Sequence, residues 1–205
     1  MARWKRTELS QSDMFERKRA AVLREAGRAF AKRGFHNTSL DDVAAALDVT
    51  KAALYTYVKT KNEILYECHK ISMDLGESAL DSALRTEGSA ADKLERFLEL
   101  YIGHITREDG MFAILSEIDA LSPGDRAKIV KRRDAFEKRV GGLLRAGVED
   151  GSLEPVDPKV VIFAFMGAMH WVARWFDSDG RISSSEMAKS LSDVLMRGVR
   201  RRSAP

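Results

Sequence analysis

Residues 38–61 read TSLDDVAAALDVTKAALYTYVKTK, and this stretch decides the fold of the first third of the chain. Ser39 is a typical N-cap with an acid three residues later, and it predicts a short helix over 39–47. A second short helix is predicted over 50–58, after the tight connection Asp48-Val49-Thr50. Two short helices joined by such a turn have the spacing of a helix-turn-helix motif. The residues expected to pack them together are Val43, Ala44, Leu47, Val49 and Leu54.

The second of these helices keeps a polar outward face that suits DNA. Its outward positions carry Thr50, Lys51, Ala52, Tyr55 and Thr56. In a major groove, a hydroxyl, an ammonium and an aromatic ring near the N-terminal end of a helix can reach phosphates and base edges. Lys61 adds a cation beside the free backbone amides that open the next helix, which also suits a phosphate. Taken singly, the tyrosines could instead be packing residues, and the lysines solvated charges.

The N-terminal pattern as a whole resembles the TetR-type bacterial transcriptional regulators. The matching residues are Ala26, Phe30, Gly34-Phe35, Thr38-Ser39, Val43-Ala44, Val49-Thr50-Lys51, Leu54-Tyr55, Tyr57 and Lys61-Asn62-Glu63. The resemblance implies a homodimer that binds a near-palindromic double-stranded DNA operator and leaves it when a small molecule enters the C-terminal domain. The predicted DNA-contacting residues are Thr38, Ser39, Thr50, Lys51, Ala52, Tyr55, Thr56, Tyr57 and Lys61. The chain departs from the commonest family pattern at Thr56, Val58 and Lys59, where His, Phe and Pro are frequent.

Helical periodicity dominates the 205 residues, and no stretch alternates apolar and polar residues long enough to predict a strand. The sequence therefore predicts an all-α protein of nine helices, with a TetR-like architecture from the resemblance. We expect a DNA-binding domain over 1–60 and a ligand-binding and dimerisation domain over 61–205. The predicted helices cover about 13–32, 39–47, 50–58, 61–84, 91–107, 111–121, 125–149, 159–176, and from one of Ser183, Ser184 and Ser185 to 200.

Charge and composition narrow the class of protein. Met1 to Glu67 holds 13 Lys/Arg against 9 Asp/Glu, and the remainder holds 21 against 22, so the positive excess lies in the part with the motif. A single cysteine, Cys68, and the lack of an apolar leader predict a reducing cytoplasm. The apolar run 160–173 is too short for a membrane span. No enzyme signature, metal-ligand spacing or cofactor motif is found.

The ligand-binding end is expected around the apolar helix 159–176. His170 and Arg174 share a stripe of that helix with Phe163 and Gly167. Either Arg174 pairs with Asp177 or Glu186 while His170 bonds a backbone carbonyl, or both side chains face a cavity and hold a polar or anionic ligand.

The helix 125–149 is strongly basic, with 8 Lys/Arg against two acids between Arg126 and Arg145. This is either a solvated face or a surface that meets the phosphates of a ligand. The paired tryptophans around Arg174 resemble TetR-type regulators that respond to acyl-CoA thioesters, which implies an acyl-CoA inducer. The candidate ligand-binding residues are Tyr101, His104, Phe112, Arg132, Met166, Met169, His170, Trp171, Arg174 and Trp175.

We expect a twofold dimer built from the last two helices, 159–176 and 184–199, which would pack against their symmetry mates as a four-helix bundle, as the resemblance implies. The sequence thus predicts a ligand-responsive repressor rather than an enzyme. The alternative is an all-α enzyme or interaction protein that acts on an acyl-CoA-like ligand without specific DNA binding.

Overall fold

The computed structural model describes residues 10–107 and 115–201, without the side chain of Ala31. Within them the chain forms helices, and its one β-type contact is an antiparallel bridge between Leu153 and Arg200. The all-α prediction is confirmed. The α-helices of the described residues are α1 (Gln11–Arg33), α2 (Leu40–Ala46), α3 (Lys51–Tyr55), α4 (Lys61–Leu84), α5 (Ala90–Arg107), α6 (Pro123–Glu149), α7 (Pro158–Trp175) and α8 (Ser184–Arg197).

The ninth predicted helix, over 111–121, is not α-helical where the structure describes it. Residues 111–114 lie outside the described residues, and Ile118–Ala120 form a short 3₁₀ helix. The reason lies in the backbone, because Glu117 departs from α-helical geometry with φ −87° and ψ 27°, and Leu121 is extended with φ −68° and ψ 153°. Ser122 has φ −57° and ψ 149° and serves as the N-cap of α6. The backbone thus leaves the α region at Glu117 and again at Leu121-Ser122, before α6 begins.

Local capping explains why the helices begin where they do. Reciprocal capping boxes, in which a serine and an acid three residues later satisfy each other's backbone amides, open α1, α2 and α8. At α7, the carboxylate of Asp157 accepts from the amides of Lys159 at 2.8 Å and Val160 at 3.4 Å. Each cap satisfies backbone donors that the first turn of a helix leaves without partners.

The buried side chains form two clusters. The first joins α1, α2 and α3 to the first turns of α4 and includes Leu121, just before α6, and Ile129 on α6. The second fills the space among the rest of α4 and α5, α6, α7 and α8, with Phe97 at 0% exposure. Since α4 starts inside the first cluster and ends inside the second, the domain boundary after residue 60 stays a prediction.

A row of ion pairs joins α4 to α6 where the two clusters meet. One guanidinium nitrogen of Arg132 lies 2.7 Å from the carboxylate of Asp74 and 2.8 Å from that of Glu77. Arg139 pairs with Asp81 further along the same two helices. These three acids and two arginines form what we call the α4–α6 seam.

Large apolar side chains remain on the outer faces of α7 and α8. Val160, Phe163, Trp171 and Trp175 on α7 and Val194 on α8 are each more than half exposed. The four α7 residues recur at helical spacing, so they form one continuous stripe. A stripe of this kind marks a surface that another molecule covers. No helix among the described residues is long and apolar enough to cross a lipid bilayer.

Candidate functional site

The turn between α2 and α3 has the geometry that the helix-turn-helix prediction requires. Asp48 adopts a left-handed φ of 53°, which aspartate tolerates better than most residues. The amide of Val49 then donates to the carbonyl of Ala44 at 3.0 Å. Val43 and Leu54 are fully buried between the two helices. The motif is confirmed, although α3 ends at Tyr55 rather than at 58.

The outer face of α3 presents a lysine and a tyrosine to solvent. Tyr55 is 45% exposed and Ala52 beside it is also exposed. The ammonium of Lys51 donates to the carboxylate of Asp41 at 2.9 Å, and this hydrogen bond raises the pKa of Lys51. Because both groups are exposed, a phosphate can replace the carboxylate at little cost. This face can therefore approach a nucleic acid without rearrangement.

Hydroxyl groups at the ends of the two short helices act as caps. The hydroxyl of Ser39 accepts from the amide of Asp42 at 3.1 Å and donates to its carboxylate at 2.6 Å, which lowers the pKa of Asp42. The hydroxyl of Thr50 accepts from the amide of Ala53 at 3.2 Å. Thr56 is exposed after the last turn of α3. All three residues lie at helix ends within reach of solvent.

One of the predicted DNA-contacting side chains is buried, and a second is partly packed against the protein while still reaching the surface. The side chain of Thr38 is buried, and its hydroxyl lies 2.9 Å from the carbonyl of Gly34 and 3.3 Å from that of Ala29. Its role is to tie the end of α1 to the start of α2, which corrects the prediction for this side chain. The ring of Tyr57 is half-buried, with its centroid 5.2 Å from that of Phe15.

The ammonium of Lys61, another predicted DNA contact, is bound by acceptors of the protein itself. It donates to the carbonyls of Phe35 at 2.6 Å, Thr38 at 2.9 Å and His36 at 3.3 Å. It also lies 4.3 Å from the centre of the Phe35 ring. An ammonium has three donors, so this geometry leaves none for a phosphate. The side chain holds the connection between α1 and α2 against α4.

A cavity of about 430 Å³ lies among α4, α5, α6 and α7. Its inner end is formed by buried residues, among them Ser72, Gly76 and Tyr101. Its mouth is formed by exposed residues of α7, including Trp171 and Arg174. The volume suits a small organic molecule.

A tyrosine–histidine pair stands in the wall of this cavity. The hydroxyl of Tyr101 and Nε2 of His170 are 2.8 Å apart. Burial lowers the pKa of His170 to about 4, helped by the charge of Arg133, and burial raises the pKa of Tyr101. The pair is thus neutral near pH 7. Gly76 permits it, because a Cβ at that position would lie 2.8 Å from Cε2 of Tyr101.

Arg133 reaches the same cavity from α6. Its guanidinium donates to the carbonyl of Leu115 at 2.9 Å, and desolvation lowers its pKa. Ser72 also lines the cavity, and its hydroxyl has no hydrogen-bond partner within the described ranges. Nearly one turn earlier on α4, both ring nitrogens of His69 also lack a partner there, and burial lowers its pKa to about 4. The polar groups in this part of the protein therefore lie near the cationic Arg133, which has no ion-pair partner among the described residues.

Half of the predicted ligand-binding residues line the cavity: Tyr101, Met166, His170, Trp171 and Arg174. Met169 is core, while His104 and Trp175 do not line the cavity. Phe112 lies outside the described residues. Both partners expected for a plain structural role are wrong, because His170 bonds the Tyr101 hydroxyl and Arg174 donates to the hydroxyl of Ser116 at 2.7 Å.

Arg132 is also wrong as a ligand residue, since it belongs to the α4–α6 seam. The neighbouring Arg133 lines the cavity instead, and the sequence prediction included it only as one of several cations on the basic helix without selecting it. A signal was present: Ile129, Phe136 and Val140 form the buried stripe of α6, and Arg133 lies on that stripe one turn after Ile129. Position 132 falls about 100° away from it. A charged residue within an apolar stripe is a more specific signal than the general basicity of the helix.

Family models match both parts of the chain. The model of the bacterial regulatory proteins of the tetR family matches residues 22–68, and a tetracyclin repressor-like C-terminal domain model matches residues 87–199. The first range contains α2, the turn and α3, and the second contains the cavity residues of α5, α6 and α7. The resemblance inferred from the N-terminal residues is thereby confirmed.

Individual relatives agree with these models over nearly the whole chain. The crystal structure of PfmR, a TetR family transcriptional regulator from Thermus thermophilus, has a TM-score of 0.75 and 33% identity, covering 86% of this chain and 97% of that one. The structure of AibR in complex with isovaleryl coenzyme A and operator DNA has a TM-score of 0.73 and 29% identity, covering 87% and 98%. The HTH-type transcriptional repressor KstR2 of Mycolicibacterium smegmatis is 23% identical over 185 residues, covering 89% of this chain and 90% of its own.

The exposed α3 face, the turn at Asp48 and these matches lead to one conclusion. The chain belongs to the TetR family of bacterial regulatory proteins and is a helix-turn-helix transcriptional regulator rather than an enzyme.

Proposed function

We propose that the protein is a repressor that binds a near-palindromic operator as a homodimer and releases it when a small amphipathic molecule occupies the cavity. The observation that carries this proposal is the coexistence of two surfaces in one fold. One is the open face of α3 around Tyr55 and Lys51, and the other is the cavity that opens beside Trp171. α4 runs from the first to the second.

The DNA interface is proposed to consist of the groups that remain accessible on the motif. Tyr55, Ala52 and Lys51 would reach base edges and phosphates from α3, while the other contributors would be Ser39, Thr50, Thr56 and Tyr57. One such short helix buries little surface, so tight specific binding needs a second copy on the other half-site.

The dimer is proposed to form through the apolar stripe of α7 and the exposed part of α8. Large apolar groups at this density are costly to leave in water. A twofold axis beside Trp175 and Val194 would cover both stripes with their own copies. Removal of this face from solvent would also narrow the mouth of the cavity, since Trp171 and Phe163 belong to both surfaces.

The inducer is proposed to be an acyl-CoA or a similar amphipathic anion. AibR, which shares the fold at 29% identity, has been crystallised with isovaleryl coenzyme A and operator DNA. In this chain the apolar wall around Ile162 and Met166 suits an acyl group, and the exposed Arg174 suits a phosphate at the mouth. The basic face of α6 contributes less than the sequence suggested, because Arg132 and Arg139 are already paired with acids of α4.

Selection of binding sequences from fragmented genomic DNA, followed by gel-shift titration, tests the DNA-binding proposal. We expect a palindromic site, an affinity that falls steeply with salt, and release of the DNA by isovaleryl-CoA or a longer acyl-CoA. A light-scattering mass of 22.9 kDa at micromolar concentration, or equal affinity for all sequences, would contradict it.

A further inference from the structure

The cavity contains a cation that no acid neutralises at contact distance within the described residues. Arg133 is half-buried and lines the cavity, and the hydrogen bond that it makes goes to the carbonyl of Leu115 at 2.9 Å. In the part of the chain that the structure describes, no carboxylate lies within ion-pairing distance of it, whereas its neighbour Arg132 has two. Glu137, one turn along α6, also lines the cavity and interacts with Arg133 only at longer range.

Near this cation the inner wall contains a polar group without a hydrogen-bond partner among the described residues. The hydroxyl of Ser72, at 2% exposure, lines the cavity with no hydrogen-bond partner from residues 10–107 and 115–201. Behind it the imidazole of His69 is fully buried, and neither of its ring nitrogens has a partner from those residues. A buried hydroxyl or imidazole without a partner loses the hydrogen bonds that it makes in water. The hydroxyl is therefore placed where a polar atom of a ligand would satisfy it.

The charges that face the cavity favour an anion. Among the described residues its lining contains two guanidinium groups, Arg133 and Arg174, and one carboxylate, Glu137. The two histidines near Arg133, His69 and His170, are neutral near pH 7 because of burial. The net balance is one positive charge, and the half-buried Arg133 interacts with an anion more strongly than an exposed cation would.

A purely hydrocarbon acyl chain would leave the polar groups of this wall without partners. It would cover Arg133 and Ser72 with methylene groups and leave a desolvated cation and an unpaired hydroxyl. A carboxylate at the same place would form a charge-assisted contact with the guanidinium and accept from the hydroxyl. The apolar residues Ile162, Phe163 and Met166 would then enclose the hydrocarbon between this group and the mouth.

We propose that the inner end of the cavity is a carboxylate site formed by Arg133 and Ser72, so that the inducer is an amphipathic molecule that enters with a carboxylate foremost. This inference rests on the proposed function, in which the cavity holds the inducer, and it specifies the chemistry at the buried end. Two sources share that chemistry. One is a free carboxylic acid, and the other is a thioester whose acyl chain ends in a second carboxylate.

Calorimetric titration of the full-length protein with two matched pairs of probes tests the proposal. The pairs are octanoate against octanol, and octanedioyl-CoA against octanoyl-CoA, so that each pair differs only at one end. We expect the carboxylate member of at least one pair to bind about tenfold more tightly or better, as for a hydrogen-bonded charge pair. The pair with the larger ratio identifies the source.

Variants of adjacent arginines provide the control. Arg133→Met should reduce the ratio to near one, whereas Arg132→Met, which removes the same charge from the α4–α6 seam, should leave it unchanged. Arg133→Lys should keep part of the preference, and Glu137→Gln should strengthen it by removing a repelling carboxylate. The two affinity ratios measured on the unmodified protein test the proposal by themselves, so it can still be refuted if a variant fails to fold.

Three results would overturn it: a ratio near one in both pairs, a preference that Arg133→Met leaves intact, or no binding of any probe. Operator affinity measured on the same protein without ligand separates this outcome from the proposed function. If the protein binds its operator but shows no preference for the carboxylate probes, only the carboxylate site is refuted. If the protein prefers the carboxylate probes but binds no operator, only the regulatory role is refuted.

Discussion

Replacing Lys61 with methionine should destabilise the protein without removing a phosphate contact. The ammonium donates to three backbone carbonyls, and the two shorter bonds, to Phe35 and Thr38, are partly buried. A hydrogen bond to a charged group contributes about 1.5 kcal/mol at the low end, so these two give about 3 kcal/mol. Hydration of the freed carbonyls reduces the loss in the free energy of unfolding to about 2 kcal/mol.

Urea unfolding at a fixed protein concentration measures this loss, since a dimer's stability depends on concentration. We expect the midpoint to fall by about 1 M for a typical denaturant slope. Lys59→Met is the matched control, because it removes an equal charge from an exposed lysine two residues earlier and should leave the midpoint unchanged. Salt titration of operator binding gives the second readout. An unchanged urea midpoint combined with a salt slope reduced by about one unit would show that Lys61 contacts a phosphate and that the reasoning is wrong.

Tyr55→Ala and Lys51→Ala should each weaken operator binding by about 1 to 3 kcal/mol in gel-shift titrations, with unfolding midpoints unchanged because both side chains are exposed; equal affinities would remove α3 from the interface. Val194→Asp should convert the dimer to a species of 22.9 kDa in light scattering, because it places a charge in the exposed apolar face of α8; a persistent dimer would place the interface elsewhere. Stability should fall as the pH drops from 6.5 towards 4, because His69 and His170 have pKa values of about 4 when folded against 6.5 when unfolded. Below pH 6.5 the unfolded chain therefore binds more protons than the folded chain, which lowers the free energy of unfolding by about 2 kcal/mol per histidine at about pH 5. His170→Gln should remove one such contribution from the free energies of unfolding that urea titrations give at each pH.

The fold could be predicted largely because its signals are local. Serine–acid capping boxes at Ser39 and Ser183 and the prolines that open α6 and α7 act within one turn of the chain. Such signals act in isolated peptides as well as in proteins. The helix predicted over 111–121 shows the limit, since its apolar composition does not reveal that the backbone leaves the α region at Glu117 and is extended at Leu121.

The cavity was harder to predict because its contacts join distant residues. Tyr101 and His170 are 69 positions apart, and only the packing of α5 against α7 brings them together. The choice between Arg132 and Arg133 depends on the rotation of α6 about its own axis, and a rotation of about 100° exchanges the two positions. Charge density along the sequence cannot report that angle, whereas the buried stripe of α6 can.

The α4–α6 seam has a mechanical consequence. Two helices joined side by side by several ion pairs resist bending better than one helix does. They can still slide along each other if the side chains that join them are long and flexible. The side chains of Arg132 and Arg139 are of this kind, because they are partly exposed and can follow a paired carboxylate that moves by a fraction of a helical turn. We therefore expect α4 to move by shear along α6 rather than by bending. In such a movement the motif would shift along the axis of α4 while keeping its tilt.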